Sequence, residues 1–287
     1  MENAFKITNL SKNYKDFKLD NINIELPKGC IMGFIGENGA GKSTTIKLIL
    51  DLIHRDSGNI TVLGKDNKKE LNLIKENIGV VMDECFFPEN INAANINLIM
   101  KNIYKTWDEK KFNNLLSGFS LPDKKIIKDY SRGMKMKLSI AVALSHDSKL
   151  LILDEATSGL DPIVRDEILD VFLEFIQNEE HSIFISSHII SDLEKICDYV
   201  TFIHKGKIIF SEPKDSLIED YGILKCSSEN FKNIDKSIIK GYRKNSFGVE
   251  ALVLKNNFKG NYVIDKASIE DIMLFYVKEN IKWKVLF

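Results

Sequence analysis

The sequence predicts an α/β fold: strands and helices alternate around a buried sheet, with an edge antiparallel β subdomain, an inserted helical subdomain and a small C-terminal α+β appendage. Three observations carry this. Short apolar runs at 30–35, 78–82, 150–153 and 182–187 are bounded by turn or polar residues, as in buried strands. The segments between them repeat apolar residues with helical spacing. From about residue 85 to 148 the pattern is helical, and beyond about 222 it weakens and changes character.

The edge subdomain comes first. Residues 4–10 alternate apolar and polar, and residues 19–26 do so again through Leu19, Ile22, Ile24 and Leu26. Tyr14 lies between these strands. Its ring suits stacking on a purine face or packing beneath the edge sheet, and the local pattern does not choose between them. Pro27-Lys28-Gly29 is a turn into the apolar run 30–35.

That run enters Gly36-Glu37-Asn38-Gly39-Ala40-Gly41-Lys42-Ser43-Thr44, which fits G-x-x-x-x-G-K-[ST]. A helix follows, with Ile46, Ile49, Leu50 and Ile53 on one face. Strand, loop and helix together are the context the motif requires, so the α/β core is a P-loop NTPase core. Glycines let the loop turn tightly, and the backbone N–H groups around Asn38, Gly39 and Gly41 form an anion-binding nest. The helix start adds partial positive charge. Lys42 supplies a full charge for β- and γ-phosphates, and Ser43 a hydroxyl for Mg²⁺.

Residues 60–64 read as the next strand, 70–76 as a short helix, and 78–82 as a strand ending at Asp83. A carboxylate there sits where open α/β sheets bind ligands. Helices are expected at 92–104, with Ile96, Ile99, Met100 and Ile103 on one face, and at 108–119, with Phe112, Leu115, Leu116 and Phe119. Ser131 is a candidate N-cap for a helix that runs to about residue 145. Residues 150–155 form an apolar strand ending in Asp154-Glu155: one carboxylate to hold Mg²⁺, the next to orient or deprotonate water. After Ser158-Gly159-Leu160-Asp161-Pro162 come a helix over 163–177 and a strand over 182–188 that ends in His188. A lone histidine is more often structural, but this one ends a strand on the same edge as Asp83 and Asp154.

A helix at 192–197, a hairpin of 199–204 and 207–211 around Lys205-Gly206, and a helix at 214–221 complete the main domain, taken as residues 1–221 with the helical subdomain at about 85–148. Residues 222–287 form the accessory domain, with strands at 249–254 and 262–264. Its last helix opens on Ser268-Ile269-Glu270-Asp271 and buries Ile269, Ile272, Met273, Tyr276 and Val277.

Composition narrows the function. At 287 residues and a net charge of −1, the chain carries no basic field that would draw it to nucleic acid, and no nucleic-acid partner is expected. Cys30, Cys85, Cys197 and Cys226 are widely spaced, which points to reduced thiols and not to zinc or a disulfide framework. No signal-peptide core is evident, and no run reaches the ~18 apolar residues of a membrane helix. A cytoplasmic chain is expected, with any membrane role exercised through a partner.

The ordered set of Tyr14, GENGAGKST, Asp83, the YSRGM sequence at 130–134, LILDE at 151–155, SGLD at 158–161 and His188 resembles the nucleotide-binding subunits of ABC transporters, over roughly residues 3–220. The resemblance implies ATP and Mg²⁺ as ligands. It implies that Tyr14 stacks on adenine, that Lys42, Ser43 and Thr44 bind phosphate and metal, and that Glu155 is the general base and His188 the switch. Ser131 and Gly133 are implied to reach across a dimer to the partner's ATP, with Asp161 contacting the opposite site. Two departures stand out. Arg132 and Met134 replace a glycine and the glutamine of the usual L-S-G-G-Q, and Asp83 replaces a glutamine while keeping an oxygen for Mg²⁺. Similar departures occur in a subgroup of bacterial ATPases that pair with separate six-helix membrane subunits, and within it the chain resembles exporters of bacitracin-type antibiotics and of amphipathic phenol-soluble-modulin peptides.

The implied function is an ATP-hydrolysing subunit that pairs with a second ATPase subunit, identical or not, and powers an integral membrane exporter of amphipathic or antimicrobial peptides or antibiotics. It would sit on the inner face of the membrane. The alternative is an ABC-type ATPase uncoupled from transport, regulatory or nucleic-acid-associated. DNA-repair relatives insert long coiled coils, translation factors carry two ATPase domains, and neither pattern is present.

Overall fold

The alternation of the first 27 residues folds into two antiparallel strands, β1 (Asn3–Asn13) and β2 (Lys18–Pro27). The computed structural model describes residues 2–255 and 262–278. β3 (Ile31–Ile35) is buried at every residue, as its unbroken apolar sequence requires, and leads through the glycine-rich loop into α1 (Lys42–Ile49). This helix stops short of the expected Ile53. Asp51 takes φ +52, which ends the helical path, while Ile53 still packs half-buried on the core. β4 (Ser57–Val62) and β5 (Lys65–Asp66) complete a four-stranded sheet in the order β2-β1-β4-β5.

The central sheet is then assembled. After α2 (Leu71–Lys75) comes β6 (Ile78–Val81); α3 (Ala93–Ile103), α4 (Glu109–Gly118) and α5 (Arg132–Leu144) make the helical insertion. β7 (Leu150–Asp154), α6 (Pro162–Phe175), β8 (Ser182–Ser187), α7 (Ile190–Ile196), β9 (Tyr199–His204) and β10 (Lys207–Pro213) follow. The order is β10-β9-β3-β8-β7-β6, and β9, β3, β8, β7 and β6 run parallel. Parallel alignment brings the carboxyl ends of β3, β6, β7 and β8 to one edge, where such sheets bind ligands. Phe184 of β8 sits between the layers, its ring 4.8 Å from Phe5 and 5.2 Å from Phe34, with Leu150, Ile152 and Ile46 in the same core.

In α3 the structure departs from the periodicity. Ile99 and Ile103 are exposed, and the buried side is Ala93, Ile96 and Asn97. Asn97 replaces an apolar contact with hydrogen bonds: Trp107 Nε1 donates to its Oδ1 at 2.8 Å, and its Nδ2 donates to Glu109 Oε1 at 2.9 Å.

Where the helical insertion returns to β7, His146 is buried, its ring stacked at 3.9 Å on Tyr104 and its Nδ1 3.0 Å from the Glu76 carbonyl oxygen. Burial lowers its pKa from the ordinary histidine value. The folded chain therefore binds fewer protons here than the unfolded chain once pH falls below about 6.5, and stability falls with pH from there until the folded group titrates. The expected slope is at most about 1.4 kcal/mol per pH unit. Thermal unfolding of the wild type between about pH 7.5 and 5.5 should show this loss, and His146→Phe should reduce it. An unchanged slope in the variant would rule the site out.

The chain divides into two compact units, Met1–Ile208 and Ile209–Phe287. The second contains α8 (Lys214–Asp220), β11 (Tyr221–Cys226), α9 (Ser228–Lys232), β12 (Ile239–Asn245), β13 (Gly248–Leu254), β14 (Val263–Lys266) and α10 (Ile269–Lys278). Its antiparallel sheet has the order β12-β13-β11-β14. β11 and β12 are not expected from sequence. β12 is an edge strand whose Tyr242, Arg243 and Lys244 are exposed, so it lacks the apolar alternation that marks a strand. The cap of α10 forms as expected: Ser268 Oγ accepts from Asp271 N at 3.1 Å, and Asp271 Oδ2 accepts from Ser268 N at 3.2 Å. Its face is shifted, however. Phe275 is buried with Ile269 and Ile272, while Met273, Tyr276 and Val277 are half-buried. All four cysteines are free, and among the described residues no helix is long and apolar enough to cross a membrane.

Candidate functional site

The phosphate loop owes its shape to Gly41. At φ +116 it occupies the N-cap of α1 in a backbone region that side chains avoid, and a Cβ there would meet Phe17 at 2.9 Å. No side chain caps α1, and its first turn carries no acid. Its leading N–H groups are thus left for an anion, the arrangement that phosphate fits. Lys42 is buried, its Nζ donating to the Gly36 carbonyl at 2.7 Å and lying 3.4 Å from Glu155 Oε1.

The carboxyl ends of β7 and β8 supply the opposite wall. Asp154 is buried, and its Oδ1 accepts from Ser186 Oγ at 2.5 Å. Glu155 takes φ +53, unusual for a residue with a side chain. Its N–H is held by Ser186, donating to the carbonyl oxygen at 3.1 Å and to Oγ at 3.2 Å. This turn aims the carboxylate into the cleft. There its Oε2 lies 2.6 Å from His188 Nδ1 and accepts from His188 N at 3.4 Å. Lys42 at the start of α1, Glu155 just after β7 and His188 just after β8 thereby form one contiguous chain of contacts.

Asn38, Gly39, Gly41, Lys42, Ser43, Thr44, Asp83, Glu155 and His188 line one cleft of about 1080 Å³. Asp16, Phe17, Glu37, Glu84, Glu89, Arg132 and Lys135 line it too and were not expected. Carboxylates outnumber cations on these walls, so a polyphosphate is better accommodated together with a divalent cation than alone. Among the described residues no cluster of three or more His, Cys, Asp or Glu side chains is arranged to hold a metal by itself. Ser43 and Asp83 on the wall suit Mg²⁺, which takes one or two carboxylates and leaves other positions to phosphate and water.

Other expected residues lie elsewhere. Asp154 is beneath the cleft and not on its wall, and Tyr14 is half exposed on the β1–β2 turn, with Lys12 Nζ 5.6 Å from its ring centroid. Ser131, Gly133 and Asp161 line a second pocket of about 260 Å³. Ser131 caps α5, its Oγ accepting from Met134 N at 3.2 Å. Asp161 caps α6, its Oδ1 accepting from Ile163 N at 3.2 Å and Val164 N at 3.1 Å. Arg132 lines both cavities, and its guanidinium covers the Cα of Gly159, where a Cβ would stand 2.7 Å from Nη1. Phe17 had a signal in the sequence, an aromatic three residues past Tyr14; Ser186 had one in the Ser-Ser-His strand end.

Known proteins match this arrangement. Residues 19–158 match the family model for "ABC transporter". The chain is 40% identical over 223 residues to the bacitracin transport ATP-binding protein BcrA of Bacillus licheniformis, covering 76% of this chain and 72% of that protein. It is 38% identical over 214 residues to the lantibiotic transport ATP-binding protein SrtF of Streptococcus pyogenes, covering 73% and 91%. The structure of cbiO1 from Clostridium perfringens, part of the ABC transporter complex cbiONQ, is 27% identical, with a TM-score of 0.65 over 76% of this chain and 92% of that one. The cassette fold, the nucleotide cleft and these identities agree: the chain belongs to the ABC transporter family, as an ATP-binding subunit whose ATP hydrolysis is coupled to transport across a membrane.

Proposed function

We propose that this subunit closes on a second ATPase subunit around two ATP molecules and powers an integral membrane exporter of amphipathic or antimicrobial peptides or antibiotics. The observation that carries the dimer is the division of anion-binding groups between two cavities of one chain. Lys42 and the uncapped α1 face the large cleft, while the α5 N-terminus, with Ser131 and Gly133, faces the small one. A helix start beside small residues is an anion site, and a second copy would bring its α5 to this chain's phosphates. Asp161 would then stand near the opposite site. Tyr14 would stack on the adenine, and Asn38, Gly39, Gly41, Lys42, Ser43 and Thr44 would hold the phosphates. Ser43 and Asp83 on the cleft wall would hold Mg²⁺, with Asp154 reaching it from beneath, directly or through water; the ion's chemistry is to neutralise phosphate charge as it develops. Glu155 would take a proton from the attacking water, with His188 holding the carboxylate in place through its 2.6 Å contact.

In this reading residues 1–221 are the ATPase domain, 85–148 its helical subdomain and 222–287 an accessory domain. The protein is peripheral on the inner face of the membrane through its membrane subunit. Export of peptides or antibiotics is supported by the bacitracin and lantibiotic transport relatives. The dimer is tested with Glu155→Gln, which should retain ATP. Light scattering should give twice 32.8 kDa with ATP and the single mass without it. A single mass at saturating ATP would overturn the dimer. A host lacking the gene should become more sensitive to bacitracin or lantibiotics; equal sensitivity to both would overturn the substrate class.

A further inference from the structure

Behind the phosphate loop lies a histidine that the chemistry above does not use. His204 ends β9, is 7% exposed, and its Nδ1 has no hydrogen-bond partner among the described residues. That nitrogen lies 3.6 Å from Oε2 of Glu37, the second residue of the phosphate loop. The same end of β9 braces the loop on either side. A Cβ on Gly36 would stand 2.5 Å from the Ile203 carbonyl oxygen, so strand and loop are packed backbone to backbone there. Gly206 N–H donates to the Ala40 carbonyl at 3.0 Å, and Gly206 itself takes φ +76 where a Cβ would collide with the Lys18 carbonyl. Two of the three braces are thus backbone contacts. The middle one is a histidine and a carboxylate slightly too far apart to be hydrogen-bonded.

We propose that His204 is a positioning residue for the phosphate loop, which, when protonated, clasps Glu37 by a charge-assisted hydrogen bond and thereby tightens ATP binding. The sign follows from charge. Protonation puts a positive charge beneath the loop and draws the Glu37 carboxylate toward β9, away from the phosphates. Linkage makes the effect reciprocal: bound nucleotide raises the proton affinity of His204 by the same factor. Glu37 is the carboxylate facing this ring. Around it, Asp20 of β2 pairs with Lys18 at 2.6 Å and Lys207 at 3.4 Å, Lys205 lies in the turn, and Lys42 of α1 is turned to Gly36 and Glu155. The β3 residues paired with β9, Met32 to Ile35, carry no charge.

ATP affinity is measured by calorimetry at about pH 6 and about pH 8 for the wild type, His204→Gln, Glu37→Gln and the double variant. ATP itself takes up protons in this range, so the readout is the ratio of the two affinities compared between proteins. The wild-type ratio should favour low pH by about three- to tenfold more than that of His204→Gln, a coupling of up to one pKa unit. Glu37→Gln should flatten the ratio equally, and the double variant should flatten it no further. Equal ratios in wild type and His204→Gln would overturn the proposal, as would a variant that only melts at lower temperature with its ratio unchanged. Should the variants fold poorly, NMR of the isotopically labelled wild type decides, the His204 ring signal being assigned among five histidines through its bonded connection to the backbone of residues 203–205. Its titration midpoint should rise on ADP binding; an unmoved midpoint would refute the clasp.

Discussion

Glu155→Gln should lower steady-state ATP turnover by roughly 10²–10⁴-fold, the usual contribution of a general base, while ATP still binds. The amide is the same size as the carboxylate, so the φ +53 turn and its two hydrogen bonds from Glu155 N–H to Ser186 are kept. The Gln oxygen also preserves an acceptor for His188. What is lost is a group that can take a proton, together with the negative charge 3.4 Å from Lys42. Removing that charge takes a repulsive neighbour away from the phosphates, so affinity should hold or rise. Phosphate release gives the first quantity and equilibrium calorimetry the second. Near-normal turnover would remove Glu155 from the role of base.

Lys42→Ala should act on the other quantity and weaken ATP binding by about 10- to 100-fold. A hydrogen bond to a charged group is worth about 1.5–3 kcal/mol, and each ~1.4 kcal/mol is tenfold in affinity. The buried ammonium also offsets Glu155, so its loss leaves an unbalanced carboxylate facing the phosphates. A thermal melt without nucleotide checks that the fold persists. Unaltered ATP affinity would contradict a phosphate role for Lys42. The two variants separate cleanly: one keeps binding and loses turnover, the other loses binding first. A cleft in which both lost only stability would be a structural charge cluster and nothing more.

Much of the site is local in the chain, and that part was legible. A phosphate nest is made from consecutive backbone N–H groups and the helix that follows, so one motif in residues 36–44 specifies it. Buried parallel strands read as apolar runs, which located β3, β6, β7 and β8 and the carboxylates at their ends. β12 lacks that signal: its Tyr242, Arg243, Lys244 and Asn245 are all exposed, so no alternation separates it from a loop. Helix faces were legible only in part. Asn97 took a buried position by hydrogen bonding, and Phe275, not Met273, met the sheet.

By itself the sequence determined the kind of chemistry: a phosphate loop, a strand ending in two carboxylates, and a capped helix whose serine and glycine resembled a known signature. Only the tertiary structure decided which of these share a cavity. Sheet order placed Lys42, Glu155 and His188 in contact, set Ser131, Gly133 and Asp161 in a separate pocket, and brought His204 up behind Glu37. Contacts between residues far apart in the chain depend on strand order and register, which local periodicity does not encode.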